Sequence, residues 1–315
     1  MILDKEVKIV SIGDLVMDIN LSIQKLPIRV EEHQMLRSIN QEPGGAGNFL
    51  IAGQRLGAKM VALGAVGDDF YGHEMLRILK MEGVDISHAI VQPTGSTTVV
   101  YTLNDPIEAT HVFLGYEGVG PLTDLSEEWK EQIRTAGAIQ AYGYTLQEKR
   151  MAKTMIKGMR YAKEHDKPVF FDPGPYVLGV PAQILDEALE STSALILTED
   201  EIKYVMPEYK ELQDARAMFD RGLTLLVIKQ GPEGCLVMTP REEFKVKGFV
   251  TKKVDSTAAG DSFGAAFIAG MLQGWPFEKV MRLGNAMGAA KVSKQGSGRQ
   301  VPTLAEVEKY FYSVE

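Results

Sequence analysis

The sequence predicts an α/β protein: a mostly parallel sheet with helices on both faces, and a small accessory β-sheet beside it. Short apolar, β-branched runs recur along the chain and alternate with helix-length segments, the pattern of repeated βα units. Several of these runs end in glycine or a carboxylate, at the strand ends where open α/β sheets bind ligands. Two further stretches, at about 19–42 and 95–116, read as strands; nothing nearby supplies the second, a hairpin, with a crossover helix, so the two fit a small separate sheet rather than the main one.

The first strand is Val7-Lys8-Ile9-Val10-Ser11-Ile12-Gly13, followed at once by Asp14 and Asp18. Residues 19–42 alternate polar and apolar, carry Pro27 and lack a helical stripe. Pro43-Gly44-Gly45-Ala46-Gly47-Asn48 is a glycine-rich loop that runs into a helix at Phe49; it fits neither the P-loop nor the dinucleotide fingerprint. Asn48 offers a polyol both a donor and an acceptor. Lys59 to Gly67 reads as one buried strand, and Tyr71 to Met81 as a helix closed by Gly83. Thr97–Leu103 and His111–Leu114 flank Asn104-Asp105-Pro106 as a hairpin. Beyond residue 125 the alternation is regular: strands at Ala138–Gly143, Pro168–Asp172, Ala194–Leu197 and Leu225–Lys229, with a helix over 147–164. No internal repeat or linker divides the chain, which is expected to be a single domain over 1–315 with the accessory strands inserted at about 19–42 and 95–116.

Composition narrows the function. A net charge of −8 argues against nucleic acid or an anionic membrane as partner and says nothing against a small anionic ligand in a local pocket. The single cysteine, Cys235, excludes an internal disulfide framework and fits a reducing compartment. Neither a secretory leader nor a long uncharged apolar run is present, so a soluble, cytoplasmic protein is expected. The five histidines have no metal-ligand spacing, and no Gly-x-Ser-x-Gly elbow occurs.

The most informative stretch is Asp255-Ser256-Thr257-Ala258-Ala259-Gly260-Asp261-Ser262-Phe263. Small residues lead into a helix starting near Gly260, where backbone N–H groups and the helix dipole favour an anion. Asp261 sits inside this anion-loving turn. On spacing alone it is either an N-capping carboxylate or a group placed to take a proton beside a phosphoryl group.

The chain resembles the ribokinase, or PfkB, family of carbohydrate and nucleoside kinases. The resemblance rests on Asp255–Asp261, which matches that family's Asp-Thr-Thr-Gly-Ala-Gly-Asp, and on Gly44-Gly45-Ala46-Gly47-Asn48, followed by Leu56-Gly57-Ala58 and Gly64–Asp69. It spans residues 7 to about 305 and implies a doubly wound sheet with a β lid. By resemblance Asp261 is the base that deprotonates an acceptor hydroxyl attacking the γ-phosphate of ATP, and the N–H groups of Ala258, Ala259 and Gly260 form the anion hole. Asp18, Gly44, Gly45 and Asn48 match sugar-hydroxyl positions, and Asp14 is near enough in sequence to join them. Lys229 and Gly231 match the turn that meets the nucleotide, and Asn285 the adenine region. Glu201 matches an acid associated with the Mg2+ shell. Asp255, Thr257 and Gly296 match part of a monovalent-cation (K+) loop, but Gln300 stands where a small hydroxyl residue is common, so potassium dependence stays open.

Two other departures matter. Thr198 replaces the asparagine of the Asn-x-x-Glu motif. Ala258 replaces a glycine, and its Cβ is tolerated without strain only if φ is negative. Tyr101, His111, Tyr142 and Tyr144 are wall candidates with packing as the alternative, and Asp172 receives no role. The resemblance implies an ATP- and Mg2+-dependent kinase of a small sugar or polyol, with a homodimer through the lid plausible on the ground that exposed strand edges pair. The alternatives are a nucleoside kinase of the same family or a catalytically silent sugar-binding regulator.

Overall fold

The computed structural model describes residues 2–108, 110–120 and 124–313; Ala109, inside the expected hairpin segment, lies outside them. Its main sheet has eight strands in the spatial order Glu243–Val246, Cys235–Met238, Leu225–Lys229, Ala194–Thr198, Val169–Asp172, Ala138–Tyr142, Lys8–Ile12, Lys59–Leu63. All pairings are parallel except those of the first two strands of that order, which return antiparallel and were not legible as strands in the pattern.

The strands are near-continuous apolar runs because both faces are covered. Alternate residues divide between two cores. Ile9, Ala138, Phe170, Ile196 and Val227 face one that includes helices Ala46–Leu56, Ala259–Gln273 and Phe277–Val292. Val10, Ile139, Phe171, Leu197 and Ile228 face the other, which includes helices Glu127–Arg134, Lys149–Glu164 and Ala182–Glu190. No helix among the described residues is long and apolar enough to cross a membrane.

The accessory sheet has four strands in the order Ser38–Pro43, Val16–Ser22, Thr98–Asp105, Thr110–Tyr116. The segment expected as a β excursion over 19–42 is two strands joined by a loop, and the first begins at Val16, so Asp18 lies within a strand. Met17 and Ile19 point into the first core, at 0% and 1% exposed, and period-two alternation turns Asp18 and Asn20 to the opposite face. The single strand expected over 59–67 is also two. Lys59–Leu63 belongs to the main sheet, whereas Ala65–Gly67 peels away to pair with Ile90–Gln92. The break falls at Gly64, where an added Cβ would lie 2.6 Å from the Gly13 carbonyl oxygen; two backbones meet there and leave no room for a side chain.

Candidate active site

Four neighbouring parallel strands end at one rim. Register sets Tyr142 opposite Asp172 and Thr198 opposite Lys229. Helix Ala259–Gln273 begins at the same rim: a Cβ placed on Gly260 would be 3.2 Å from Lys229 Nζ. The first-turn N–H groups of a helix have no intrahelical acceptors, and that of Ala259 is already spent on the Ser256 carbonyl at 3.1 Å.

Asp261 stands in the first turn of this helix and is not its cap, which is Ala258. Asn48 Nδ2 donates to Asp261 Oδ2 at 2.9 Å. Burial raises the Asp261 pKa to about 7; the nearby Asp172 adds to the rise, while Asn48, Lys229 and Tyr142 oppose it. A carboxylate raised toward neutrality has a proton affinity suited to a base.

Ala258 has φ 63° and ψ 5°, so the negative φ under which its Cβ would be free of strain is not adopted. The turn must reverse sharply for the helix N-terminus to face the strand rim. It is fixed from outside by Asp255, whose Oδ1 accepts both the N–H and the hydroxyl of Thr257, at 2.9 and 2.8 Å.

Asp18, on the accessory sheet, lies near enough to Asp261 for the two carboxylates to act on each other. Burial raises its pKa to about 7; Ser297 beside it opposes the rise, and Asp261 and Glu42 reinforce it. Gly44 is required here because an added Cβ would lie 2.1 Å from Asp18 Oδ1. Gly45 differs: its φ of 43° and ψ of −114° are a backbone conformation for glycine, and space is open above it. Asp14 is raised to about 6 by burial and faces Thr98 and Glu117 rather than Asp18, with its Oδ1 buried and unpartnered among the described residues.

Lys229 Nζ donates to Asp172 Oδ2 at 2.7 Å, with both side chains largely buried. Burial opposes the ammonium, but Asp172, Glu201 and Asp261 outweigh it and hold its pKa above the ordinary range. Glu201 Oε2 accepts the N–H of Thr198 at 2.7 Å in a reciprocal helix cap, so the threonine standing for asparagine keeps a capping role. Burial raises the Glu201 pKa, with Lys229 opposing and Asp172 adding. No cluster of three or more His, Cys, Asp or Glu side chains suited to a metal occurs among the described residues. Gly231, at φ 56°, opens the turn after the Lys229 strand. Asn285 Nδ2 donates to the Val246 and Lys247 carbonyls at 3.1 and 3.0 Å.

Several participants escaped the sequence reading. Asp172 was visible at a strand end but gained its meaning only through Lys229. Gly298 N–H donates to Asn48 Oδ1 at 2.6 Å. Arg299 closes on the buried Glu42, Nη2 to Oε1 at 2.8 Å, and joins the accessory sheet to the loop beyond the last long helix. These partners lie about 250 positions apart, and their pairing has no local signature.

A family model described as "pfkB family carbohydrate kinase" matches residues 7–304. A 5-dehydro-2-deoxygluconokinase of Geobacillus thermodenitrificans (strain NG80-2) is 26% identical over 327 residues, covering 99% of this chain and 95% of that protein. Arabidopsis thaliana ribokinase complexed with ribose and ATP superposes with a TM-score of 0.83 at 21% identity, covering 98% of this chain and 99% of that one. An Escherichia coli chain described as a ribokinase II, in complex with ATP and Mg2+, gives a TM-score of 0.83 at 22% identity, with 96% and 98% covered.

Proposed function

The chain belongs to the pfkB family of carbohydrate kinases, and from that premise we propose that it moves the γ-phosphoryl group of ATP onto a hydroxyl of a small sugar or polyol, with Asp261 as the base. The observation that carries this reading is the convergence of Asp261, Asn48 and the start of helix Ala259–Gln273 on one rim with Lys229.

The acceptor sits against Asp18 and the Gly44–Gly45 turn, its reacting hydroxyl directed at Asp261. As the hydroxyl oxygen forms its bond to the γ-phosphorus, the bond from that phosphorus to the β,γ-bridging oxygen breaks and ADP departs. The hydroxyl proton passes to Asp261. Charge on the transferred group meets the N–H groups at 258–260, with the Ala259 contribution limited by its bond to Ser256. Lys229 lies beside Gly260 and faces the same charge.

Magnesium is held by few protein carboxylates and mostly by phosphate oxygens and water in sites of this chemistry. Glu201 and Asp172 fit that demand: both lie at the rim, and Glu201 carries a raised proton affinity that a cation would relieve. When bound, Mg2+ neutralises charge on the phosphates.

The acceptor side presents the carboxylate of Asp18, a hydrogen-bond acceptor suited to hydroxyl groups, whereas Asp14 faces Thr98 and Glu117. The test is a phosphoryl-transfer screen over hexoses, pentoses, polyols, nucleosides and keto-sugar acids, with 5-dehydro-2-deoxygluconate, the acceptor in the relatives' name, included. Acceptor-dependent ADP release is expected, and in Asp261→Asn it should fall by at least ~10²-fold with the fold intact. Undiminished turnover in that variant removes Asp261 as base. A nucleoside preferred over every sugar replaces the acceptor class.

A further inference from the structure

Helix Phe277–Val292 ends with a lysine in the interior: Lys291 is 0% exposed. A buried ammonium is costly unless oxygens surround it. Its Nζ donates to the carbonyl of Lys294 at 3.0 Å; burial lowers its pKa from the ordinary lysine range, and the carboxylate of Asp255 works against that fall. The neighbouring Lys294 ammonium is drawn away by Glu306, at 3.1 Å.

Asp255 is the hub of the turn that precedes Asp261. Its Oδ1 takes the N–H and hydroxyl of Thr257, and its Oδ2 takes the N–H of Gly296 at 2.7 Å. The Val292 carbonyl receives the N–H groups of Val254 and Asp255, at 2.7 and 3.1 Å, so the end of the helix is bonded directly to the segment leading into the turn. Asp255, Thr257 and Gly296 are the positions that resemblance assigned to a monovalent cation. Here both carboxylate oxygens already accept internal donors, and the nearby Lys294 carbonyl is bonded by a side chain that brings its own positive charge. An added potassium ion at this set would meet that like charge.

We propose that the Lys291 ammonium is a built-in cation for the Asp255–Asp261 turn, so that the protein holds its phosphoryl-binding turn in shape without potassium. The proposal rests on the reading of residues 258–260 as the anion hole. A tethered charge differs from a bound ion in one measurable respect, because it cannot be diluted or exchanged. Lys291 acts through the turn and touches no substrate, so it is a positioning residue.

The experiment compares potassium with tetramethylammonium at equal ionic strength, reading both the melting temperature and acceptor-dependent turnover. For the wild-type protein both are expected to be the same in the two salts. Lys291→Met keeps the stem and removes the charge. In tetramethylammonium it should lose roughly tenfold or more in kcat/KM, short of or reaching the ~10²–10³-fold typical of a lost anion-hole donor, and melt lower. Potassium or ammonium should restore part of both, and Lys291→Arg should stay indifferent to potassium. Wild-type protein that melts higher or turns over faster in potassium overturns the proposal, as does a Lys291→Met variant that matches wild type in tetramethylammonium. If Lys291→Met does not fold, the wild-type comparison still decides. The melting readout needs no acceptor, so failure of the kinase reading leaves this test intact.

Discussion

Asn48 holds Asp261 with one end of its amide and Gly298 with the other: Nδ2 donates to the carboxylate at 2.9 Å, and Oδ1 accepts the backbone N–H at 2.6 Å. The Gly298 donor needs an oxygen, and that requirement fixes which way the amide faces. Asn48 therefore always presents a donor to Asp261, stabilising its ionised form while the surrounding burial favours the protonated one.

From this follows a prediction for Asn48→Asp. The new carboxylate can still accept from Gly298 but sets like charge against Asp261, and such pairs share a proton up to higher pH. The acid limb of the kcat/KM profile, expected near pH 7 in the wild type from the Asp261 value of about 7, should move up by roughly a unit or more. A pH profile of the variant that overlays the wild type would show that Asn48 does not tune the titration of Asp261.

How much of this was legible in the sequence depends on the range of each interaction. Strand Leu225–Lys229 was read to the residue, because a buried run bounded by polar residues is a local signal. The two motif loops were legible for the same reason, since small residues at a helix start express a local backbone need. Asn48 and Asp261 were each singled out, but not their bond, which spans 213 positions. The separation of Asp14 from Asp18 was illegible too: four residues apart in sequence, they face different neighbours because the strand Val16–Ser22 starts between them. Lys291 drew no notice, since lysine near a helix C-terminus usually faces solvent.

Asp18 and Asp261 are each raised from 3.8 to about 7 in the folded protein. Between about pH 4 and 7 the unfolded chain has released protons that the folded chain still holds, so the stability these groups contribute is present at low pH and is lost as pH rises to about 7. Asp255, Asp69 and Asp85, all held below the ordinary carboxylate range, work in the opposite direction, so the effect must be read by difference. Asp18→Asn cannot ionise. Its melting temperature should gain on that of the wild type as the pH is taken from about 5 to 8, while sugar affinity falls. A wild-type-to-variant difference independent of pH would show that Asp18 is not a raised carboxylate.

The two adjacent glycines should respond differently to alanine. At Gly44 the new methyl would sit 2.1 Å from Asp18 Oδ1 and 2.4 Å from its Cγ, so Asp18 must swing away from its present position. Misplacing a positioning group by about an ångström can cost ~10²-fold, and here the loss should appear mainly as a raised KM for the acceptor with the ATP KM unchanged. At Gly45 nothing lies within contact distance of the new methyl, and the cost is the backbone angle, seen as lowered stability. Equal loss of both substrates in Gly44→Ala would place the defect in folding rather than in Asp18.

Ala258 carries backbone strain that a glycine would not. At φ 63° it is one of two non-glycine residues with positive φ among the described residues, the other being Asp166. The left-handed region costs an alanine roughly 1–2 kcal/mol. Glycine removes that cost but makes the unfolded chain freer, which takes back about 0.4–1 kcal/mol. Ala258→Gly should therefore be neutral to about 1.5 kcal/mol more stable in urea unfolding. The helix start and its N–H groups keep their places in this variant, so kcat should hold. A β-branched residue instead adds crowding to the same angle, and Ala258→Val should destabilise the turn and lower kcat together. Loss of stability in Ala258→Gly would mean that the alanine methyl packs usefully against the first core, where Ala258 is already half-buried, and that this contact outweighs the strain.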